Sequence, residues 1–309
     1  MRTVFLGTPE FAVPSLEALA NAGHEVVAVL TQPDRPKGRG NVIAESPVKI
    51  AAGKLGLEVR QPERIRRPES VAQLQDLNPD LMVVVGYGQI IPQSIIDIPR
   101  FGILNVHASL LPKYRGAAPI QWAIANGEIV TGVTIMQIDA GLDTGDMLLK
   151  ASVHIDVGET APELSARLAP LGANLLIDAI AQIAAGTARH LKQNDSEATL
   201  APILKKDDGR IEWSRTAQQT YNRMRGFNPW PGAFTTFRGQ PLTIAWSKPV
   251  EHEPVPASGL SIEKRRVFAG CGEATTLELV EVQPAGKRKM SAEAFLNGYK
   301  LQEGERLGD

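Results

Sequence analysis

Asn105 and His107 lie two residues apart in Phe101-Gly102-Ile103-Leu104-Asn105-Val106-His107-Ala108-Ser109-Leu110-Leu111-Pro112, which continues as Lys113-Tyr114-Arg115-Gly116. The stretch opens with the β-branched and apolar character of a strand, and Pro112 and Gly116 mark its end. Alternate residues of a strand share a face, so the amide and the imidazole project the same way. At a strand terminus such a pair can polarise a carbonyl and move a proton. Standing alone, the pattern more often marks a capped strand with a solvated histidine. The surroundings decide between the two readings.

In open α/β sheets, ligands bind beyond the carboxyl ends of the strands. Three candidate loops are expected to meet there: 86–92, 107–116 and the acidic, glycine-containing turn 139–146, which supplies Asp143. An amide, an imidazole and a carboxylate in one crevice suit acyl transfer to an amine. The attack creates an oxyanion that needs donors already in place, and a proton must leave one nitrogen and reach another. Asn105 and a protonated His107 would donate; Asp143 would keep His107 charged and help move the proton. Direct transfer needs no nucleophilic side chain. The single cysteine, Cys271, has no motif around it, and Ser109 lacks the glycine pattern of a nucleophile elbow. The five histidines are scattered and His107 has no H-x-x-x-H partner, so no metal site is expected.

The elements that must position these residues read as an α/β fold. Thr3–Gly7, Pro9–Ala22 and Val26–Leu30 give strand, helix and strand, hence a parallel pair with a right-handed crossover. Gly7-Thr8-Pro9-Glu10-Phe11 sits where a dinucleotide fingerprint would fall, but G-x-G-x-x-G is absent, which removes most support for a dehydrogenase. The apolar run 80–88 reads as a central strand covered on both faces, with Gly86 and Gly88 permitting close approach after it. Further strands are expected over 131–138 and 147–155, and a helix over 160–186 that is long or broken near Pro170. Residues 187–206 read as a polar connector. Beyond Asp207 come one helix (216–226) and short strands near 233–238, 241–247, 265–269, 275–282 and 287–291, with little other helix. The expected architecture is an open, mostly parallel Rossmann-like sheet in a catalytic domain (1–189), a linker (190–206) and a smaller OB-like β-barrel domain (207–309).

Size and charge are consistent with this. A chain of 309 residues with 43% apolar content has room for two domains. The net charge of −1 gives no global field for nucleic acid, and the basic excess lies beyond residue 200. One cysteine allows no disulfide framework and fits a reducing cytoplasm. The start lacks a signal-peptide pattern and no run of 18 apolar residues marks a membrane span. The loop Gln32-Pro33-Asp34-Arg35-Pro36-Lys37-Gly38-Arg39-Gly40-Asn41 holds prolines, glycines and cations that exclude both helix and strand. It reads either as a solvated loop or as a mobile basic finger whose Arg35, Lys37 and Arg39 meet phosphates.

Taken together, Asn105-Val106-His107-Ala108-Ser109-Leu110-Leu111-Pro112, Tyr114-Arg115-Gly116 and Asp139-x-Gly-x-Asp143-Thr144-Gly145 resemble the signature of the folate-dependent formyltransferases. The segments 31–40, Arg115-Gly116-Ala117-Ala118-Pro119-Ile120-Gln121 and Arg225-Gly226-Phe227-Asn228-Pro229-Trp230-Pro231-Gly232-Ala233 resemble the branch of that family that acts on charged tRNA. The resemblance covers nearly the whole chain and weakens after about residue 250. It implies 10-formyltetrahydrofolate as donor and the free amine of methionyl initiator tRNA as acceptor. It further implies Asn105, His107 and Asp143 as the catalytic set, and a folate site lined by Ser109, Leu110, Leu111 and Pro112 with Tyr87, Gly88, Gln89 and Ile90 as a second wall. The tRNA would be met by Arg35, Lys37 and Arg39 and, from the second domain, by Lys205, Lys206, Arg210, Arg223 and Arg225. Each of these last cations also reads as ordinary solubilising charge. A cytoplasmic monomer is expected. Two other functions remain open on the sequence: the same chemistry on a small amine such as an amino sugar, and a non-catalytic RNA-binding protein. The cationic loop and the second domain speak against the former, the Asn105, His107 and Asp143 grouping against the latter.

Overall fold

A computed structural model describes residues 1–37 and 42–308. The chain forms two units, each assembled from three separate segments. The first comprises Met1–Pro119, Val130–His154 and Leu164–Pro202; the second comprises Ile120–Ile129, Ile155–Glu163 and Ile203–Asp309.

The chain opens with β1 (Arg2–Gly7), α1 (Val13–Asn21) and β2 (Glu25–Leu30), the expected parallel pair with its helix. Next come two short strands, β3 (Arg35–Lys37) and β4 (Val42–Ala44), paired antiparallel. The sequence argues against strand here, yet a two-stranded ribbon forms. Pro36 fits because a ribbon has no further strand for its missing N–H to serve. Asp34, at the foot of the ribbon, is gripped by Lys49 and Gln61. The chain continues through α2 (Pro47–Lys54), β5 (Val59–Arg60), α3 (Pro68–Asp76), β6 (Leu81–Val85), α4 (Gln93–Ile96) and β7 (Ile103–His107). It then forms α5 (Pro119–Ala125), β8 (Val130–Gln137), β9 (Met147–His154) and α6 (Ala161–Ala184). Ser46 caps α2 by accepting from the Lys49 N–H at 3.0 Å, with Pro47 in the first turn.

Seven strands form the sheet of the first unit, in the order β5-β2-β1-β6-β7-β8-β9. The first five pair parallel, while β8 pairs antiparallel with both β7 and β9, which gives the mixed, Rossmann-like sheet. Helix α6 runs unbroken for 24 residues through Pro170. Its length and apolar content would suffice to cross a membrane. Here it is a core helix: a Cβ on Gly172 would lie 2.7 Å from Val106 and 3.3 Å from Val133, so glycine lets α6 settle onto β7 and β8. Val106 points away from Asn105 and His107, so α6 fills one face of β7 and leaves the other for chemistry.

The stretch expected as a linker is not free along its first part. Leu191 and Met147 exchange both backbone hydrogen bonds at 2.9 Å, and Thr199 to Ala201 bond to the backbone of Arg115.

In the second unit, α7 (Ala217–Gly226) precedes β10 (Phe234–Phe237), β11 (Gln240–Val250), β12 (Leu260–Glu263), β13 (Arg266–Gly270), β14 (Thr276–Pro284), β15 (Met290–Ser291) and α8 (Ala292–Tyr299). The strands pair antiparallel in the order β10-β11-β14-β13-β12, with β15 beside β14. The last residues then tie the two edges together. Gly308 N–H donates to the Thr236 carbonyl of β10 at 2.8 Å, while Leu260 of β12 donates to the Glu305 carbonyl at 2.7 Å. The sheet thereby closes into a small barrel around Phe237, Leu242, Val267, Leu279 and Phe295. Strand β12 and helix α8 were not expected from the sequence. Of the strand expected at 287–291 only Met290–Ser291 forms, as β15, and α8 follows it directly; the helix cap, Ser291, accepts from the Ala294 N–H at 3.1 Å.

Candidate active site

The carboxyl end of β7 carries the first two candidates. Strand β6 runs parallel to β7 with Val84 opposite Asn105, and β8 runs antiparallel with Thr134 opposite His107. Thr134 therefore shares the face of His107. Its hydroxyl donates to the Ser109 carbonyl at 2.7 Å and accepts from Leu111 N–H at 3.1 Å, fixing the turn that follows β7.

Asp143 reaches this face by an unexpected route. Because β8 is antiparallel, the 139–146 loop leaves it beside Ile103, at the opposite end of β7 from His107. The loop then returns over the face holding Asn105 and His107. Asp143 takes up a left-handed backbone with φ +52°, sparsely populated for a residue with a Cβ. Its Oδ1 accepts from Asn105 Nδ2 at 3.3 Å. Its Oδ2 accepts from the Gly116 N–H at 2.8 Å and lies 3.7 Å from His107 Nδ1. That last separation is longer than a hydrogen bond. The carboxylate is thus within reach of both partners, with its closest bond to a backbone donor the sequence does not advertise. Gly116 has φ +121°, and a Cβ there would stand 2.6 Å from the Ala201 carbonyl, so the residue must be glycine.

His107 is 5% exposed, and its Nε2 lies 2.9 Å from the Tyr114 carbonyl oxygen. A carbonyl only accepts, so Nε2 carries a proton. In the neutral ring Nδ1 then holds the lone pair, and protonation places a second N–H on the side facing Asp143. Asn105 is half-buried and spends one amide hydrogen on Asp143, which leaves the other for a ligand.

The other candidates divide by burial. Ser109 is fully buried and its hydroxyl donates to the Lys113 carbonyl at 2.6 Å. Leu111 and Tyr87 are buried, and burial pushes the Tyr87 hydroxyl's pKa well upward. The Gln89 side chain binds Ile65 N–H and the Pro62 carbonyl, bracing a neighbouring loop. Ile90 is 87% exposed, Leu110 half-buried, and Gly88 has φ +83°. Among the cations, Arg35, Lys205, Lys206 and Arg210 are exposed. Lys37 is described through its backbone alone, and Arg39 lies outside the described residues. Arg223 is half-buried, donating to the Asp208 carbonyl and resting over the rings of Phe227 and Trp122. Arg225 is 6% exposed and holds Asn222 and the Glu159 carbonyl. Burial pushes the pKa values of both arginines downward. Cys271 is buried, and burial pushes its thiol up to about 12, so it is no nucleophile near neutrality.

Sequence reasoning missed several supports of the site. The Gly116 N–H and the Tyr114 carbonyl are backbone groups without a residue-type signature. Gln193 and the Arg115 side chain sit at the loop's back; Gln193 lies in the polar connector, where no periodicity singles it out.

The molecule's likenesses agree with this geometry. Residues 1–180 match the family model described as formyl transferase, and residues 203–300 that of the formyl transferase C-terminal domain. Among solved structures, a sugar 3N-formyl transferase, WlaRD, has the same fold at 18% identity, with a TM-score of 0.69 over 93% of this chain and 99% of that one. Both units thus carry the parts of a formyl-transferring enzyme. The methionyl-tRNA formyltransferase of Solibacter usitatus is 60% identical over 100% of this chain and 99% of its own length. That of Koribacter versatilis is 56% identical over the same shares. The chain belongs to the methionyl-tRNA formyltransferase family.

Proposed function

We propose that the chain, working as a cytoplasmic monomer, transfers the formyl group of 10-formyltetrahydrofolate to the amino group of methionyl initiator tRNA. The observation that carries the chemistry is the Asp143 carboxylate lying against both Asn105 and His107. The donor supplies the formyl carbon. The free amide hydrogen of Asn105 and the protonated His107 ring donate to the formyl oxygen as it gains charge. Asp143 takes up the proton that the amine loses as its nitrogen bonds to the formyl carbon. His107 relays a proton toward the folate nitrogen as the old C–N bond breaks, so the protons balance.

The chemistry of the donor-side residues fits a flat, largely apolar ring system. Exposed Ile90 and half-buried Leu110 offer apolar contact. Tyr87, Gln89, Ser109 and Leu111 brace the backbone behind, and Gly88 and Pro112 shape the two turns. For the tRNA, the cations Arg35, Lys37 and Arg39 meet the acceptor end. Lys205, Lys206 and Arg210 meet phosphates from the second unit, with Arg223 and Arg225 holding helix α7 beneath them. Binding through phosphates is salt-dependent, and a stem end is read by shape and unpaired bases because side chains cannot enter the deep RNA groove.

The test is formyl transfer by the purified chain to methionyl initiator tRNA, to methionyl elongator tRNA and to free amino sugars. Transfer to the initiator well above the other two is expected. Equal or faster transfer to an amino sugar would overturn the reading.

A further inference from the structure

The carboxylate that completes the active site is held from behind by a side chain outside its motif. Gln193 Nε2 donates to the carbonyl of Asp143 and to that of Gly145, each at 2.8 Å. Its Oε1 accepts from Arg115 Nε at 3.0 Å. Both amide hydrogens are therefore used on the acidic loop, and the amide oxygen reaches the opposite loop. Arg115 is 7% exposed, and its other arm binds Asp195 at 2.8 Å.

The rest of the same segment grips the histidine side. Thr199 Oγ1 accepts from the Tyr114 N–H at 2.9 Å, and Thr199 O accepts from the Arg115 N–H at 2.9 Å. The Ala201 N–H donates to the Arg115 carbonyl at 2.7 Å. Tyr114 is the residue whose carbonyl fixes the His107 ring, and Gly116 the one whose N–H holds Asp143. Residues 191–201 thus form a strap that binds the carboxylate's loop and the imidazole's loop at once. Gln193 is the side chain of the strap that touches both.

We propose that Gln193 is a positioning residue for formyl transfer, setting where the Asp143 carboxylate stands relative to His107 and Asn105. The loop needs such support. It springs from the far end of β8, it returns across the sheet face, and Asp143 itself sits in the left-handed region. Two hydrogen bonds from one amide to the carbonyls of Asp143 and Gly145 bracket that residue. Without them the carboxylate keeps the Gly116 N–H as its one short backbone partner.

The proposal rests on the activity given above, so wild-type transfer to methionyl initiator tRNA is measured alongside every variant. Failure of the wild type would reject that activity, whereas the comparison below addresses Gln193. Gln193→Met keeps the approximate volume and removes all three hydrogen bonds; Gln193→Ala removes the volume as well. Misplacement of a reacting group by about 1 Å can lower turnover about 10²-fold. Both variants should lose kcat on that scale, with KM for tRNA and folate and the thermal midpoint near wild type. In an Asp143→Ala background, Gln193→Met should cost little more, because it acts through the missing carboxylate. Should Gln193→Ala unfold, Gln193→Met decides alone. A Gln193→Met enzyme with kcat within about two-fold of wild type, or one whose loss is undiminished in the Asp143→Ala background, would overturn the proposal.

Discussion

In the proposed mechanism, Asn105, His107 and Asp143 divide the work of the site by what each has left to offer after its structural bonds are counted. Asn105 retains one amide hydrogen, His107 has its tautomer set by the Tyr114 carbonyl, and Asp143 is anchored by the Gly116 N–H. Asn105→Ala should therefore lower kcat by roughly 10² to 10³, the usual effect of removing one oxyanion donor, with little change in folding. Steady-state kinetics beside a thermal unfolding curve would check both halves; activity within a few-fold of wild type would remove Asn105 from the role. At this scale the sequence was readable where side-chain type carries the meaning. The two-residue spacing placed the amide and imidazole on one face, and the glycine-containing turn named the carboxylate. What stayed hidden was whatever acts through the main chain, since a backbone N–H belongs to every residue except proline. Gln193 was hidden for a different reason: it approaches Asp143 from 50 residues away along the chain.

Among the elements, the β3–β4 ribbon shows how local composition can mislead. Proline and glycine argued against regular structure, yet a short ribbon needs few hydrogen bonds and accommodates Pro36 within β3. Its foot is fastened at Asp34, whose carboxyl is held below its ordinary range by Lys49 first and Gln61 second. A carboxyl depressed in the folded chain stabilises above its unfolded value, here 3.8, and loses that effect as the pH falls through its lower folded value. The fastening therefore stays ionised across neutral pH. Replacing Arg35, Lys37 and Arg39 together by serine should raise the KM for tRNA several-fold and leave the KM for folate unchanged. An unaltered tRNA KM and kcat would separate the ribbon from RNA binding. The direction of β8 was likewise not legible. A helix lies between β7 and β8, as in a parallel crossover, and only the register, from Leu104 opposite Gln137 to His107 opposite Thr134, shows the strand turned around. Helix α8 has its signal in Ser291 followed by Ala-Glu-Ala-Phe-Leu, an N-cap ahead of helix formers that the sequence reading passed over.

For the whole molecule, a net charge of −1 cannot attract an RNA by its overall field. Affinity must come from local cations, and Lys205, Lys206 and Arg210 lie together in sequence and exposed. Replacing the three by alanine should weaken tRNA binding and lower the slope of log affinity against log salt by about 2 to 3, close to one for each phosphate left unmet. Titrations at several ionic strengths would measure it, and an unchanged slope would show that these cations touch no phosphate. The two-part architecture was visible in the change of pattern near residue 207. The interleaving of the parts was not, because the segments 120–129 and 155–163 look in sequence like any helix and turn of an α/β protein.

That interleaving limits how such genes can be shuffled. The edge-on stack of Trp122 against Phe227, with ring centres 5.2 Å apart, joins residues far apart in the sequence. So does the Arg225 guanidinium on the Glu159 carbonyl at 3.0 Å. Gly226 seats so closely on Gln121 and Ala125 that a methyl group there would stand 2.7 Å from the Gln121 carbonyl. A hybrid gene joined once near residue 203 inherits half of each of these pairings from a different ancestor. An exchange that keeps these pairings intact has to carry all three segments of the second unit together.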